Sequence, residues 1–358
     1  MIIKELRLSK FRNYFYENLK FDPKINIFLG DNAQGKTNLL EAVFFCANAT
    51  SFKKIKDSDL IMFKENEMNL KALIQKNNSF KKIDINVTKE KKTIIVNDIK
   101  YKKNRDLKAL FNIVTFTPED LRIAKEGPSL RREFFDDIIV SVDFNYWRIK
   151  RKYLRLLFER NKLLKNRNVK FFNQELDAFD KQLAKEGAKI NVYRDRYIKF
   201  IEKFAKKYLS LFTNGKEELE ISYIADIKAF DYDSYYKSLK DNRDNDLLRY
   251  TTTKGIHRDD IDILINGKNI RDFASQGQQR SAILVLKLSQ IELIKAKLNE
   301  KSIVLLDDVF SELDEKRSGF LLDNLRDYQT IITSTDFTNI EKIKNSNIRR
   351  IEKGSIKS

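Results

Sequence analysis

A chain of 358 residues with 42% hydrophobic and 34% charged side chains can build a real core, which excludes disorder as its default state. Its formal net charge of +18 favours a polyanionic partner, nucleic acid ahead of an anionic membrane surface. One Cys (Cys46, expected as a small buried hydrophobe) and one His (His257) exclude an internal disulfide framework and a Cys/His zinc site, and fit a reducing cytoplasm.

The first residues, Met1-Ile-Ile-Lys-Glu-Leu-Arg, alternate as a strand does and lack the apolar core of a signal peptide. No apolar run approaches a membrane span, so a cytoplasmic protein with no membrane partner is expected. Residues 1–30 read as two β segments leading into Gly30-Asp-Asn-Ala-Gln-Gly-Lys-Thr37, which fits G-x-x-x-x-G-K-[ST] without mismatch. The apolar run Ile25-Asn-Ile-Phe-Leu29 precedes it, and apolar residues at helical spacing (Leu39, Leu40, Val43, Phe44) follow. That strand–loop–helix context is what a phosphate-binding P-loop requires. Gly30 and Gly35 let the backbone wrap, so that N–H groups from Gly30, Asp31, Asn32, Ala33, Gln34 and Gly35 can point at phosphate oxygens. The following helix adds its positive dipole end. Lys36 can reach the β- and γ-phosphates, and the Thr37 hydroxyl can ligate Mg²⁺. A nucleoside triphosphate, ATP, is the expected cofactor.

Residues 69–101 alternate apolar and polar, predicting an antiparallel meander with turns at 89–92 and at Asn97-Asp98. Pro118 and Pro128 bracket a boundary. Residues 144–212 are helical in pattern: Ile190, Tyr197, Phe204 and Leu211 recur every seven residues, with Tyr193, Phe200 and Tyr208 between them. A short helical hairpin packed on itself fits better than a long coiled coil, with a turn at 171–174. Residues 213–250 read as a shorter helical return with loops. Ile261, Ile263 and Ile265 meet Asn266-Gly267 in a hairpin signal, and residues 282–294 form a helix. Ile303-Val-Leu-Leu306 and Thr330-Ile-Ile-Thr333 read as central strands of a sheet buried on both faces.

The strand at 303–306 ends in Asp307-Asp308. Asp307 can complete the Mg²⁺ shell that Thr37 begins, and Asp308 can orient or deprotonate an attacking water. Ser275 and Gly277, at the start of another helix, form a second anion-binding turn. One nucleotide rarely needs two cradles from one subunit, so a dimer is expected in which Ser275 of one chain faces the γ-phosphate held by Lys36 of another. Asp314, in Ser311-Glu-Leu-Asp314, could lie close to the dimer seam.

The ordered set P-loop, Ser275-Gln-Gly-Gln-Gln, Leu306-Asp-Asp and Ser311-Glu-Leu-Asp resembles an ABC-type ATPase head of the SMC/Rad50 kind. Gly127-Pro-Ser-Leu-Arg-Arg-Glu-Phe-Phe-Asp136 and Gly255-Ile-His-Arg-Asp-Asp260 narrow the resemblance to the RecF family of bacterial recombination and replication-repair proteins, over nearly the whole chain. Ile256, where proline is expected, and Phe135, where an aliphatic is usual, depart from the family pattern without touching a phosphate contact. The resemblance implies an α/β fold: an ABC-type P-loop ATPase head, made of a central sheet plus an antiparallel β lobe, with an inserted α-helical arm domain. The expected division is 1–125 (Walker A and meander), 126–250 (arm) and 251–358 (signature motif and Walker B). Residues 30–37 become Walker A, with Lys36 as a catalytic group. Asp307 becomes the Walker B magnesium carboxylate, and Asp308 the catalytic position where many ABC ATPases use Glu. Ser275, Gln276, Gly277 and Gln278 become the signature motif acting in trans, and Asp314 part of the D-loop. Thr335, in Thr333-Ser-Thr-Asp336, stands at the switch-histidine position. The shorter Asp308 side chain implies slow hydrolysis. Implied partners are DNA, an ATP-dependent second copy, mediators of the RecO and RecR type, and RecA, within recombinational repair and the SOS response.

Between Tyr146 and Lys170 stand ten Lys/Arg and one acid, Glu159. Arg148, Arg151, Lys152, Arg155 and Lys162 are the expected DNA contacts, with Lys150, Arg160, Lys165, Arg167 and Lys170 on the same arm. The pattern lacks the regular aromatic–basic alternation of base readers, so backbone recognition of single-stranded, gapped or junction DNA is expected. Arg131 and Arg132 read either as DNA or partner contacts or, for Arg132 with Asp136 one turn on, as a helix ion pair; His257 and Arg258 read as structural. Two other classes compete. The ATPase subunit of a membrane transporter predicts a docking surface for membrane helices and no DNA affinity, which the basic arm opposes. An SMC-like nuclease needs a metal-carboxylate domain for which the 22 residues after Asp336 leave no room.

Overall fold

Alternation of buried and more exposed side chains, clearest in residues 67–76 and 79–88 and interrupted by a bulge at Ile3–Glu5, builds the first sheet. Strand β1 (Ile2–Phe11) pairs with β2 (Tyr14–Lys20) and β4 (Glu67–Lys76), and β5 (Ser79–Thr88), β6 (Lys92–Val96) and β7 (Ile99–Tyr101) extend it. All these pairings are antiparallel, in the order β2-β1-β4-β5-β6-β7. Asn97 and Asp98 both take left-handed backbone (φ 46° and 65°), which suits the tight turn between β6 and β7. Residues 1–30 hold three strands where two were expected: the chain turns back at Arg12-Asn13, with Arg12 at φ 54°. The computed structural model describes residues 1–357 except 54, 78, 102, 103, 105, 106, 108, 109, 169, 336–342, 344 and 345; Asp336 therefore lies outside the described residues.

The inner strands of the second sheet are short and buried almost throughout, as a sheet covered on both faces requires. β3 (Ile25–Leu29), β8 (Ile113–Phe116), β12 (Ile303–Asp307), β13 (Thr330–Ser334) and β14 (Ser346–Glu352) run parallel, and β15 (Ser355–Lys357) closes one edge antiparallel. The order β15-β14-β3-β13-β12-β8 puts β3, β13 and β12 side by side. Helix α1 (Lys36–Asn48) buries Leu39, Leu40, Val43 and Cys46 in one core with Leu6 and Leu8 of β1, Leu70 of β4 and Ile331 of β13. Both sheets belong to one compact unit, Met1–Asp120 with Ile294–Ser358.

The other unit, Leu121–Leu293, is wider than the 126–250 arm. After a single helical turn at Arg122–Lys125 it holds the long helices α2 (Pro128–Val142), α3 (Phe144–Lys165) and α4 (Phe172–Thr213). The turn between α3 and α4 falls just before the expected 171–174, because α4 starts at Phe172. Bonds across this hairpin fall in antiparallel order: Tyr197–Asp143, Lys152–Glu186, Arg160–Asp180. The segment 213–250 departs from the helical return expected. It contains strand β9 (Leu219–Ile224) before α5 (Tyr232–Asp241) and α6 (Arg243–Arg249). β9 exists because β10 (Asp260–Ile265) supplies its ladder, with Ile221 opposite Ile263; β11 (Lys268–Asn269) completes a three-stranded sheet across the Asn266-Gly267 turn. Helix α7 (Gln276–Leu298) follows. Its first turn lies in this unit, as do the residues 255–270, because Arg131 and Arg194 of the helices bond directly to Asp260 and Asp259.

Candidate nucleotide site and charged arm

Three parallel strands deliver their C-terminal ends to one edge. β3 runs into the P-loop, β12 ends at Asp307, and β13 between them ends at Ser334, with Thr335 following. Ligands of open α/β sheets bind outside such strand ends. The P-loop turns through left-handed backbone at Ala33 (φ 65°) and Gly35 (φ 114°). A side chain on Gly35 would stand 2.6 Å from the Asn13 amide, and one on Gly30 2.5 Å from the carbonyl oxygen of Ile351, so both positions exclude a Cβ.

Lys36 is buried at the start of α1, and its ammonium donates to the carbonyls of Gly30 (2.6 Å) and Asp31 (2.9 Å). Burial pulls its pKa down, with Asp308 and Asp307 opposing. The Thr37 hydroxyl donates to Oδ1 of Asp307 at 2.9 Å, and the Thr333 hydroxyl donates to the same oxygen at 2.9 Å. Burial raises the Asp307 carboxyl, while Thr333, Thr37 and the nearby Lys53 charge resist that shift. Asp308 takes left-handed backbone (φ 50°), and its Oδ1 accepts from the Thr335 backbone N–H at 3.2 Å. Lys36, Thr37, Asp307, Asp308 and Thr335 are therefore assembled in one unit. Asp314 caps helix α8 (Glu315–Leu325), accepting from the Arg317 N–H at 2.8 Å.

Several supports of this loop escaped the sequence. The Asn13 amide donates to the Gln34 carbonyl at 3.0 Å, and the Tyr14 hydroxyl donates to the Gly35 carbonyl at 3.0 Å. From the turn between β14 and β15, the N–H of Lys353 donates to the Gln34 side chain and that of Gly354 to the Gln34 carbonyl. Arg12 makes a two-pronged bond to the fully buried Glu41 of α1. No motif marks these residues, which come from turns that read only as connections; Lys353-Gly354, between two alternating segments, was the one local signal.

In the other unit, Ser275 and Gln278 form a reciprocal capping box at the start of α7. The Gln278 N–H donates to Ser275 Oγ (3.2 Å) and the Ser275 N–H to Gln278 Oε1 (2.9 Å). Gln278 Nε2 also donates to Glu217 at 3.0 Å. Ser275 and Gln276 are exposed, and Gly277 lies in the first turn.

On α3, Arg148, Arg151, Lys152, Arg155 and Lys162 are all exposed. Arg148, Arg151, Arg155 and Lys162 follow helical spacing along one stripe. Arg151 lies 5.2 Å over the Trp147 ring, and Lys152 bonds to Glu186 at 2.7 Å. Arg160 is different: it is fully buried, bonded to Asp180, Asp246 and the Thr252 hydroxyl. The two blocks specific to the RecF resemblance also meet. Arg131 forms a two-pronged pair with Asp260, Arg132 donates to the Asp259 carbonyl, and buried Arg194 bridges Asp136 and Asp259. Arg132 thus turns to the Asp259 backbone, and Asp136 pairs instead with Arg194 and Lys150. Burial alone would raise the Asp136 carboxyl, but Arg194 and Lys150 take it below the ordinary value. His257 Nε2 is 3.0 Å from the Thr252 carbonyl, within the unit's interior.

Known proteins resemble the chain over nearly its full length. The model of the RecF/RecN/SMC N-terminal domain matches residues 2–356. "DNA replication and repair protein RecF" of Clostridium perfringens (strain SM101 / Type A) is 39% identical over 362 residues, covering 99% of both chains. Its counterpart in Clostridium kluyveri is 41% identical with 99% of both chains covered. The chain belongs to the RecF family. A solved structure of the recombination mediator protein RecF with ATP, in the RecFOR pathway, superposes with a TM-score of 0.91 at 35% identity, covering 99% of this chain and 96% of that one. An SMC head bound to the winged-helix domain of ScpA shares the fold, with a TM-score of 0.60 at 14% identity. The architecture is thus the ABC-type ATPase head with its antiparallel β lobe and helical insertion. Among the described residues no helix is long and apolar enough to cross a membrane.

Proposed function

We propose that this RecF-family chain is an ATP-driven DNA-binding switch of recombinational repair and replication restart. The observation that carries the reading is the meeting of Thr37 and Asp307 at the strand ends, beside Lys36 and Asp308, in a chain similar throughout to RecF. The P-loop amides and Lys36 cradle the triphosphate of ATP. Thr37 Oγ1 and Asp307 Oδ1 are hard oxygen donors that suit Mg²⁺, which takes one or two carboxylates with phosphate and water rather than a full protein cage. When bound, the ion neutralises phosphate charge. Asp308 orients the attacking water and accepts its proton, and Thr335 holds that carboxylate in place.

ATP closes two copies head to head, with Ser275, Gln276, Gly277 and Gln278 of one copy against the γ-phosphate held by the other and Asp314 close to the seam. The arm residues Arg148, Arg151, Lys152, Arg155 and Lys162 hold the DNA backbone. Slow, DNA-stimulated hydrolysis reopens the dimer, without nuclease chemistry. RecO- and RecR-type mediators and RecA are the partners this reading implies, in the cytoplasm. A transporter role is not favoured, because the exposed cations of α3 suit a polyanion.

Sedimentation of wild type and Asp308→Asn, with and without ATP and gapped DNA, tests the switch. Asp308→Asn accumulates an ATP-bound dimer; a monomer under every condition overturns it.

A further inference from the structure

We infer that the arm, beyond holding phosphates, carries a stacking groove for unstacked bases of single-stranded DNA on α4. This rests on the DNA-binding reading above and adds a second surface to it. The groove has a volume of about 410 Å³ and is lined by Lys185, Lys189, Val192, Tyr193, Phe230 and Tyr232. That size is typical of clefts that take small organic rings.

Three of its apolar walls face solvent: Val192 is 46% exposed, Phe230 50% and Tyr232 40%. Water is a poor neighbour for such a cluster, and a flat ring laid on it would remove apolar surface from water. The rings are also oriented from behind. Tyr232 stacks on Tyr236 with planes 3° apart, and the Tyr236 hydroxyl donates to Asp177 at 2.5 Å. Tyr193 stacks on Tyr197 with planes 11° apart, and the Tyr197 hydroxyl donates to Asp143 at 3.0 Å. Both faces are therefore set before a ligand arrives, which reduces the ordering cost of binding.

Charge selects the occupant. Lys185 and Lys189 stand one helical turn apart on the rim, about 6 Å along the axis. Lys189 reaches Glu186 only at 3.9 Å, and that carboxylate already holds Lys152 at 2.7 Å. Asp231, next to Phe230 in the chain, is turned to the start of α5, where it accepts from the Ser234 N–H. Burial and then the Asp143 charge raise the Tyr193 hydroxyl above its ordinary pKa, with Arg196 and Arg148 opposing, so it stays protonated and carries no charge against a polyanion. Three aromatic side chains beside two lysines fit a polyanion whose rings can leave their stack, which single-stranded DNA offers and an intact duplex does not.

Fluorescence anisotropy with oligo(dT) and with a duplex of equal length tests the site. Tyr232→Ala should weaken oligo(dT) binding about tenfold, the scale of one base stack, while duplex binding changes less than about twofold. Tyr232→Phe should behave as wild type. Photo-crosslinking of an iodouracil oligonucleotide to the unaltered protein should label Tyr193, Phe230 or Tyr232, a readout independent of how a variant folds. Equal losses for both DNAs, no loss, or crosslinks confined to α3 overturn the groove while leaving DNA binding intact. A wild-type protein that binds neither DNA overturns the functional reading itself, and the groove with it.

Discussion

The Thr37 hydroxyl donates to Asp307 across 270 residues of chain, at 2.9 Å. One partner opens a helix, the other closes a strand, and the parallel order β3-β13-β12 brings them together. The Thr333 hydroxyl, on the intervening strand, bonds the same carboxylate oxygen and holds it toward Thr37.

Lys36→Met removes the one side-chain cation of the P-loop. ATP affinity should fall by about 1.5–3 kcal/mol, on the order of 10- to 100-fold, as expected when bonds to charged groups are removed. Titration with a fluorescent ATP analogue measures this. Unchanged affinity would mean the loop is not a phosphate site.

Reversing Arg151, Lys152 and Arg155 to Glu should weaken DNA binding and leave ATP affinity intact. The dependence of log K on log salt should flatten by about 0.7 for each single-strand phosphate that the arm no longer neutralises. A slope identical to wild type would remove α3 from the DNA surface.

Arg160→Met leaves Asp180 and Asp246 buried without their shared guanidinium. Breaking such a buried pair costs about 3–5 kcal/mol, whereas Arg151→Met on the exposed face of the same helix should stay within about 0.5 kcal/mol. Denaturant unfolding of the two variants checks the contrast; similar values would show that Arg160 is not the keystone of the hairpin.

His257 gives a pH dependence of definite sign. Burial lowers its pKa from the ordinary 6.5, and its Nδ1 is buried without a hydrogen-bond partner. The unfolded chain therefore binds a proton at a higher pH than the folded one, so stability is full above about pH 6.5 and falls as pH drops through that value. His257 is the only histidine in the chain, so His257→Gln should flatten this part of the curve. Thermal melts between pH 7.5 and 5.5, in about half-unit steps, measure it; a slope unchanged in the variant refutes the assignment.

Local pattern was enough for the P-loop, for the apolar strands carrying Asp307 and Thr333, for the β meander and for the helical hairpin. In each case the spacing of apolar and turn residues over a few positions expresses the backbone geometry directly. It was not enough where burial depends on distant partners. Arg160 and Arg155 are alike in a string of basic residues, yet one is sealed against Asp180 and Asp246 and the other faces solvent. β9 has a short, mixed pattern that becomes a strand only because β10 pairs with it. The Gly127 and Gly255 blocks looked unrelated to any chemistry until Arg131 and Arg194 tied them together. Sequence alone determined that the chain holds a phosphate loop, a pair of strand-end carboxylates and a cationic arm. Tertiary structure alone decided which charges are solvated and which are buried, because an ion's environment is set by residues far away in the chain.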